Sequence, residues 1–246
     1  MEPIFRQTYT IAPIHTDCFG RTKTSCLLHF AQEAAGGHCL ELALDWDTLA
    51  KRNLFWAVIL NKMHITRQPI AGETITVETW PMPTTRSAFP RSTVAYDEKG
   101  NEVFRSISLW VLMDTNTRAM ILPGKSGIDL AGTIRGNELA APGSLQPLET
   151  ENCAARRVCF TDLDKNGHMN NTRYMDWIDD LLPATFHAGH TPRELTLCYL
   201  SEAREGDETD IRWTLEKGNC LLVDARRKET EVSGKQTRIF SAQVIF

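Results

Sequence analysis

No stretch of this 246-residue chain approaches the ~20 consecutive apolar residues that a membrane-crossing helix requires. The first residues, MEPIFRQTYT, lack the basic start and apolar core of an export signal, so the expected location is the cytoplasm. No C-x-x-C pair occurs among the seven cysteines, Cys18, Cys26, Cys39, Cys153, Cys159, Cys198 and Cys220. An odd count without paired spacing argues against a disulfide framework or a cysteine-held metal and reads as reduced thiols; no metal and no cofactor is expected. Basic excess is missing too. With 27 Lys and Arg against 31 Asp and Glu, the net charge of −4 excludes a general electrostatic field for nucleic acid.

What is present is the composition of a globular protein, 42% hydrophobic and 24% charged, which can bury real cores. The length suits two domains of roughly 120 residues. Between Leu122 and Ala155 the chain gathers Gly and Pro and loses periodicity, as expected of an interdomain connection. The halves on either side read in one order: strand, turn, helix, then four strands. In the first half the strand is expected at Tyr9–Ile14, the helix at Ser25–Leu44, and later strands at Ala57–Thr66, Thr74–Trp80, Arg91–Tyr96 and Val103–Met113. In the second half a strand is expected at Arg157–Thr161, a helix at Asn171–Leu182, and strands at Leu195–Leu200, Thr209–Leu215, Cys220–Arg226 and Thr237–Phe246.

The order repeats because the residues repeat. Adding 147 to Asp17, Gly20, Ser25 and Phe30 gives Asp164, Gly167, Thr172 and Trp177, and Ala71-Gly72-Glu73-Thr74 matches Glu205-Gly206-Asp207-Glu208 at an offset of 134. A duplicated strand–helix–meander describes a curved antiparallel sheet wrapped round a helix, twice. Ala31, Ala34, Ala35, Gly36 and Gly37 in the first helix would let a sheet close tightly; alternatively the Gly pair breaks the helix.

Chemistry converges on residues 160–177, FTDLDKNGHMNNTRYMDW, where Asp164, Asn166 and His168 occupy alternate positions. In extended chain, alternate side chains point one way. A carboxylate can act as base or nucleophile, a carboxamide can hold it or donate to an oxyanion, and an imidazole can move the proton. A helix starting near Asn170 and Asn171 would add N–H donors, and those two residues can also cap it. Asp162, Asp164, Asn166 and Gly167 fit the opening of a calcium loop, but Arg173 stands where that loop needs a bidentate Glu.

The segment D-L-D-K-N-G-H-M-N-N-T-R-Y-M-D-W resembles the signature of acyl-acyl-carrier-protein (acyl-ACP) thioesterases, a plant and bacterial family. The D-x-x-G-R turn of the first half (Asp17, Gly20, Arg21) and the strand L-T-L-C-Y-L-S-E extend the resemblance over most of the chain. It implies an α+β fold of two tandem hot-dog domains, each an antiparallel curved sheet wrapped round a long helix. Residues 1–122 would form an acyl-binding domain, 123–155 a linker and 156–246 a catalytic domain. It further implies hydrolysis of fatty acyl-ACP thioesters, with Asp164, Asn166 and His168 as catalytic residues and an acid at Glu202. Where many plant members have cysteine, this chain has Ala203, which speaks against a cysteine nucleophile. The first half keeps Asp17 but has Phe19 and Arg21 at the other two positions.

By the same resemblance Phe55, Trp56, Val58 and Leu60 become candidates for an acyl tunnel, although core packing explains them equally well. The implied partner is an acyl carrier protein, whose acidity would be met by Arg156, Arg157, Arg173, Arg193 and Arg204; a homodimer is also expected. Two alternatives stand beside this reading: a hot-dog acyl-coenzyme A thioesterase, and a non-catalytic regulator that binds an acyl thioester.

Overall fold

The computed structural model describes residues 3–228 and 237–246. The chain divides into two compact units, Met1–Ala141 and Pro142–Phe246. The first carries β1 (Phe5–Thr10), α1 (Thr24–Glu41), α2 (Trp46–Ala50), β2 (Leu54–Ile65), β3 (Thr74–Pro81), β4 (Phe89–Asp97), β5 (Glu102–Asp114), β6 (Met120–Ile121) and α3 (Pro123–Ser126). Its strands pair antiparallel in the order β1-β3-β4-β5-β2, with β6 beside β5. The second carries β7 (Cys153–Arg157), α4 (Arg173–Asp179), α5 (Ala184–His187), β8 (Glu194–Tyr199), β9 (Glu208–Glu216), β10 (Cys220–Arg227) and β11 (Arg238–Ile245). Its order is β7-β9-β10-β11-β8, again antiparallel. Ranked within each unit, both sheets run first, third, fourth, fifth, second. This is the tandem hot-dog arrangement.

In the first unit α1 lies against β1 and β3. The helix runs unbroken through Gly36 and Gly37, so the glycines are not a stop. A Cβ at Gly37 would overlap the Phe5 ring, which shows that the missing side chain lets β1 approach the helix. In the second unit α4 turns Tyr174, Met175, Trp177 and Ile178 inward, and the Tyr174 ring packs on Phe240 at 4.8 Å and Tyr199 at 5.5 Å.

Several expected boundaries move. The first strand ends at Thr10 because Pro13, which has no N–H to give a ladder, opens a 3-10 turn over Pro13–His15. The strand expected at Arg157–Thr161 lies earlier, at Cys153–Arg157. The chain then turns at Phe160–Asp162, where the Asp162 carboxylate accepts the Cys159 N–H at 3.0 Å. The second helix is seven residues rather than the twelve expected. Asp179 and Asp180 sit at its C-terminal end, where acids oppose the helix dipole, and Pro183 follows.

The connecting segment is fastened to both units. Thr133 N–H donates to Pro81 O (2.9 Å) and Arg135 pairs with Glu78 (2.7 Å) in the first unit. In the second, Arg226 and Arg238 donate to Leu148 O (3.0 Å) and Leu145 O (3.3 Å). Gly132 lies so close to Met82 and Pro83 that a Cβ would overlap their backbone. Gly132→Ala should therefore destabilise the first unit by about 1–3 kcal/mol, read as a lower unfolding midpoint in urea; an unshifted midpoint would mean the strap is loosely held. Among the described residues no helix is long and apolar enough to cross a membrane.

Candidate active site

The duplication holds bond by bond at the two turns. Asp17 N–H donates to Arg21 O at 2.7 Å, as Asp164 N–H does to His168 O at 2.8 Å. Gly20 N–H donates to Asp17 O, and Gly167 N–H to Asp164 O, each at 3.0 Å. Both glycines have positive φ, +78° and +74°, which a side chain would strain. The next residue of each turn is anchored alike, Thr22 N–H to Pro69 O and Met169 N–H to Ala203 O, both at 2.8 Å. Offsets of 147 and 134 thus relate one hydrogen-bonded scaffold to the other, and His168 and Glu202 stand where the first unit has Arg21 and Gln68.

In the second unit this scaffold brings His168 Nε2 to 3.3 Å from Glu202 Oε2. Arg204 approaches the same Glu202 oxygen at 3.7 Å, and Arg227 donates to the Glu202 carbonyl at 2.6 Å while pairing with Asp207 at 3.0 Å. Glu202 is therefore held by its backbone, while its half-buried side chain meets His168 and Arg204. Ala203 is buried. Asp164 lies in the turn with both carboxylate oxygens engaged. Oδ1 accepts the Asn166 N–H (2.8 Å) and the His168 N–H (3.3 Å), and Oδ2 accepts from the Asn166 carboxamide (3.1 Å). Beneath the turn, burial pushes the Tyr174 hydroxyl up, so it stays protonated.

The helix start is less open than its sequence implies. The Asn170 side-chain oxygen accepts the Thr172 N–H and hydroxyl, both at 2.9 Å, while Asn170 O accepts the Arg173 N–H at 3.0 Å. Asn170 N–H is itself given to Asp162 O at 2.8 Å. Asn170 is thus a cap. Of the backbone N–H groups from 170 to 173, that of Asn171 alone has no acceptor among the described residues.

The tunnel candidates divide between two faces. Across β2 and β5, Trp56 and Val58 oppose Leu112 and Trp110, and Phe55 opposes Met113; a bulge between Val58 and Leu60 then turns Leu60 to the Phe55 face. Trp56 and Val58 share a face with Phe89 and Arg91. Arg91 touches His38 of α1 at 3.2 Å, so that face is the helix side. Phe55 and Leu60 point away from it.

The arginines divide as well. Arg156 pairs with Asp180 (2.8 Å), and Arg173 is tied to Asp162 (3.3 Å) and Asp176 (2.5 Å). Arg193 precedes β8 while Glu202 follows it, which separates them by roughly 20 Å of extended strand. Of these five, Arg157 and Arg204 are the exposed ones in the neighbourhood of the turn, and Lys165, within the turn itself, is a further exposed cation. Arg227, unmarked by local pattern, was invisible in the sequence because it lies 25 residues beyond the carbonyl it holds.

The model of the acyl-ACP thioesterase N-terminal domain matches residues 2–122, and that of the C-terminal domain matches residues 145–241. The chain belongs to the acyl-ACP thioesterase family. Among curated relatives of this family member, the chloroplastic palmitoyl-acyl carrier protein thioesterase of Gossypium hirsutum is 26% identical over 217 residues, covering 81% of this chain and 52% of the relative. The chloroplastic dodecanoyl-[acyl-carrier-protein] hydrolase of Umbellularia californica is 25% identical over 214 residues, covering 81% and 56%. The chain thus spans about half the length of the curated relatives it matches. An acyl-ACP thioesterase structure from Bacteroides thetaiotaomicron superposes with a TM-score of 0.88 at 24% identity, covering 99% of this chain and 98% of that one. The Umbellularia californica 12:0-ACP thioesterase structure gives 0.82 at 22%, covering 100% and 97%. At these identities the superpositions establish the fold alone: two hot-dog domains.

Proposed function

We propose that the chain hydrolyses fatty acyl-ACP thioesters at the turn of its C-terminal domain, releasing a free fatty acid and the carrier thiol. The carrying observation is the 3.3 Å contact between His168 Nε2 and Glu202 Oε2 on a backbone held at both residues. In this reading Glu202 orients the imidazole, and His168 takes a proton from water as its oxygen bonds to the thioester carbonyl. The Asn171 N–H, with the Asn166 carboxamide near it in the chain, faces the developing oxyanion. The carbon–sulfur bond then breaks, and the proton on His168 passes to the leaving thiolate. Ala203 leaves no cysteine at the neighbouring position, which favours attack by water.

The acyl chain is assigned to the first domain, where Trp56 and Val58 line the helix side of the sheet. Arg157 and Arg204 are the cations assigned to the acidic carrier. The free cysteines suit a reducing compartment, in keeping with a cytoplasmic protein.

One experiment separates this reading from its rivals: thiol release from a single acyl group carried on ACP and on coenzyme A, each at low and high salt. The expected result is a higher kcat/KM on ACP whose advantage shrinks as salt rises, because screening weakens the docking charges. Preference for the coenzyme A ester would point to an acyl-coenzyme A thioesterase. Acyl binding with no thiol release would make the protein a regulator.

A further inference from the structure

We propose that Asp164 is a positioning residue, which holds the turn and through it the orientation of His168, rather than the group that attacks the thioester or takes the proton from water. The inference rests on the hydrolytic reading above and assigns the labour within that site.

The first domain supplies the control that a single site lacks. Asp17, at the position matching Asp164, accepts the Phe19 N–H (2.8 Å) and the Arg21 N–H (2.9 Å) on Oδ1, and the Arg21 guanidinium on Oδ2 (3.1 Å). Asp164 accepts the two corresponding backbone donors on Oδ1, and on Oδ2 a side chain of its own turn. At the other matching positions in the first domain stand Phe19, Arg21 and Gln68, which supply neither an imidazole nor a second carboxylate. Yet the aspartate and all its main-chain bonds are retained. What the two turns share is therefore scaffold, and what differs between them, Asn166, His168 and Glu202, is chemistry.

The local physics agrees. An aspartate whose side-chain oxygen accepts the N–H groups two and four residues ahead closes the loop in place of a backbone acceptor. With one oxygen shared by two amides and the other accepting from a carboxamide, a proton or an acyl carbon that bonded to Asp164 would draw charge away from the bonds that close the turn. Opening the turn would release the backbone of His168, which Asp164 holds from both sides: its N–H through the carboxylate and its carbonyl through the Asp164 N–H. Chemistry at Asp164 would thus dismantle the geometry of its partner.

The test compares Asp164→Asn and Asp164→Ser, which keep an acceptor oxygen but no basic carboxylate, with Asp164→Ala, which keeps neither. Asp17→Ala is the matched control. The expected result is a kcat within about 10-fold of wild type for the Asn and Ser variants, with a pH profile of unchanged shape, and a much larger loss for Ala. Asp17→Ala and Asp164→Ala should lower the unfolding temperature by similar amounts, with kcat retained only in the former. A loss of about 100-fold or more in both the Asn and Ser variants at native unfolding temperature would overturn the proposal, since that is the contribution of a lost acid or base. So would an acyl group found on Asp164 when wild-type turnover is quenched in acid and the peptides are weighed. Absence of thiol release by the wild-type protein sinks the hydrolytic reading itself, whereas wild-type release beside an inactive, folded Asp164→Asn and Asp164→Ser sinks this inference alone.

Discussion

His168→Ala lowers kcat for acyl-thioester hydrolysis by roughly 100-fold or more, and Glu202→Gln lowers it by a similar factor, while both variants keep the wild-type circular dichroism. The expectation follows from the 3.3 Å contact between His168 Nε2 and Glu202 Oε2. In the proposed mechanism, alanine at 168 removes the group that carries the proton from water to the departing sulfur. Glutamine at 202 keeps size and backbone but loses the charge that orients the imidazole and steadies it once protonated. Because the two act as one unit, the double variant should be little worse than either single one, a strong departure from additivity. Free-thiol release under saturating substrate measures each. Full additivity would mean that the residues work separately, and near-native turnover in either would remove it from the reaction.

Asp224→Ala destabilises the C-terminal domain by about 3 kcal/mol or more, the usual consequence of removing one member of a buried ion cluster. Asp224 is 0% exposed and accepts Arg226 Nε at 2.9 Å and Arg238 Nε at 2.5 Å. The same two arginines reach the connecting segment at Leu148 O and Leu145 O, and Arg226 also pairs with Glu149 at 2.7 Å. Without the carboxylate, two guanidinium groups face each other across neighbouring strands with no shared anion. The loss should appear as an unfolding temperature lower by roughly 6–12 °C in scanning calorimetry. Glu149→Ala should do much less, since Glu149 is 71% exposed and water replaces its role. Equal effects from the two substitutions would show that the cluster is not anchored on Asp224.

The duplication was legible before any coordinates. The offsets of 147 and 134 came from a handful of Asp, Gly, Thr and aromatic residues, yet they relate the turn hydrogen bonds of both domains. A turn is closed by groups two to four residues apart, so its chemistry is local, and local chemistry is written in spacing. The succession of strand, turn, helix and further strands along each half, and the placing of Asp164, Asn166 and His168 in one turn, belong to the same class of information.

Other features depended on register, length and burial. Phe55 and Leu60 read as partners of Trp56 and Val58 until the bulge in β2 and the pleat placed them on opposite faces. Arg193 looked near Glu202 until six residues of β8 stretched out between them. The start of α4 at Arg173, with Asn170 accepting from Thr172 and Arg173, closed off donors that a helix starting at Asn171 was expected to offer. Composition, periodicity and turn spacing alone determined that this chain is a duplicated sheet-and-helix protein with one chemically equipped turn. Which carboxylate meets the imidazole and which closes the turn, and which arginine holds the backbone of the former, was decided only in three dimensions. Asp164 is committed by amides of its own loop, while Glu202 is held by Arg227 from another strand, and no local pattern encodes an encounter between residues 25 positions apart.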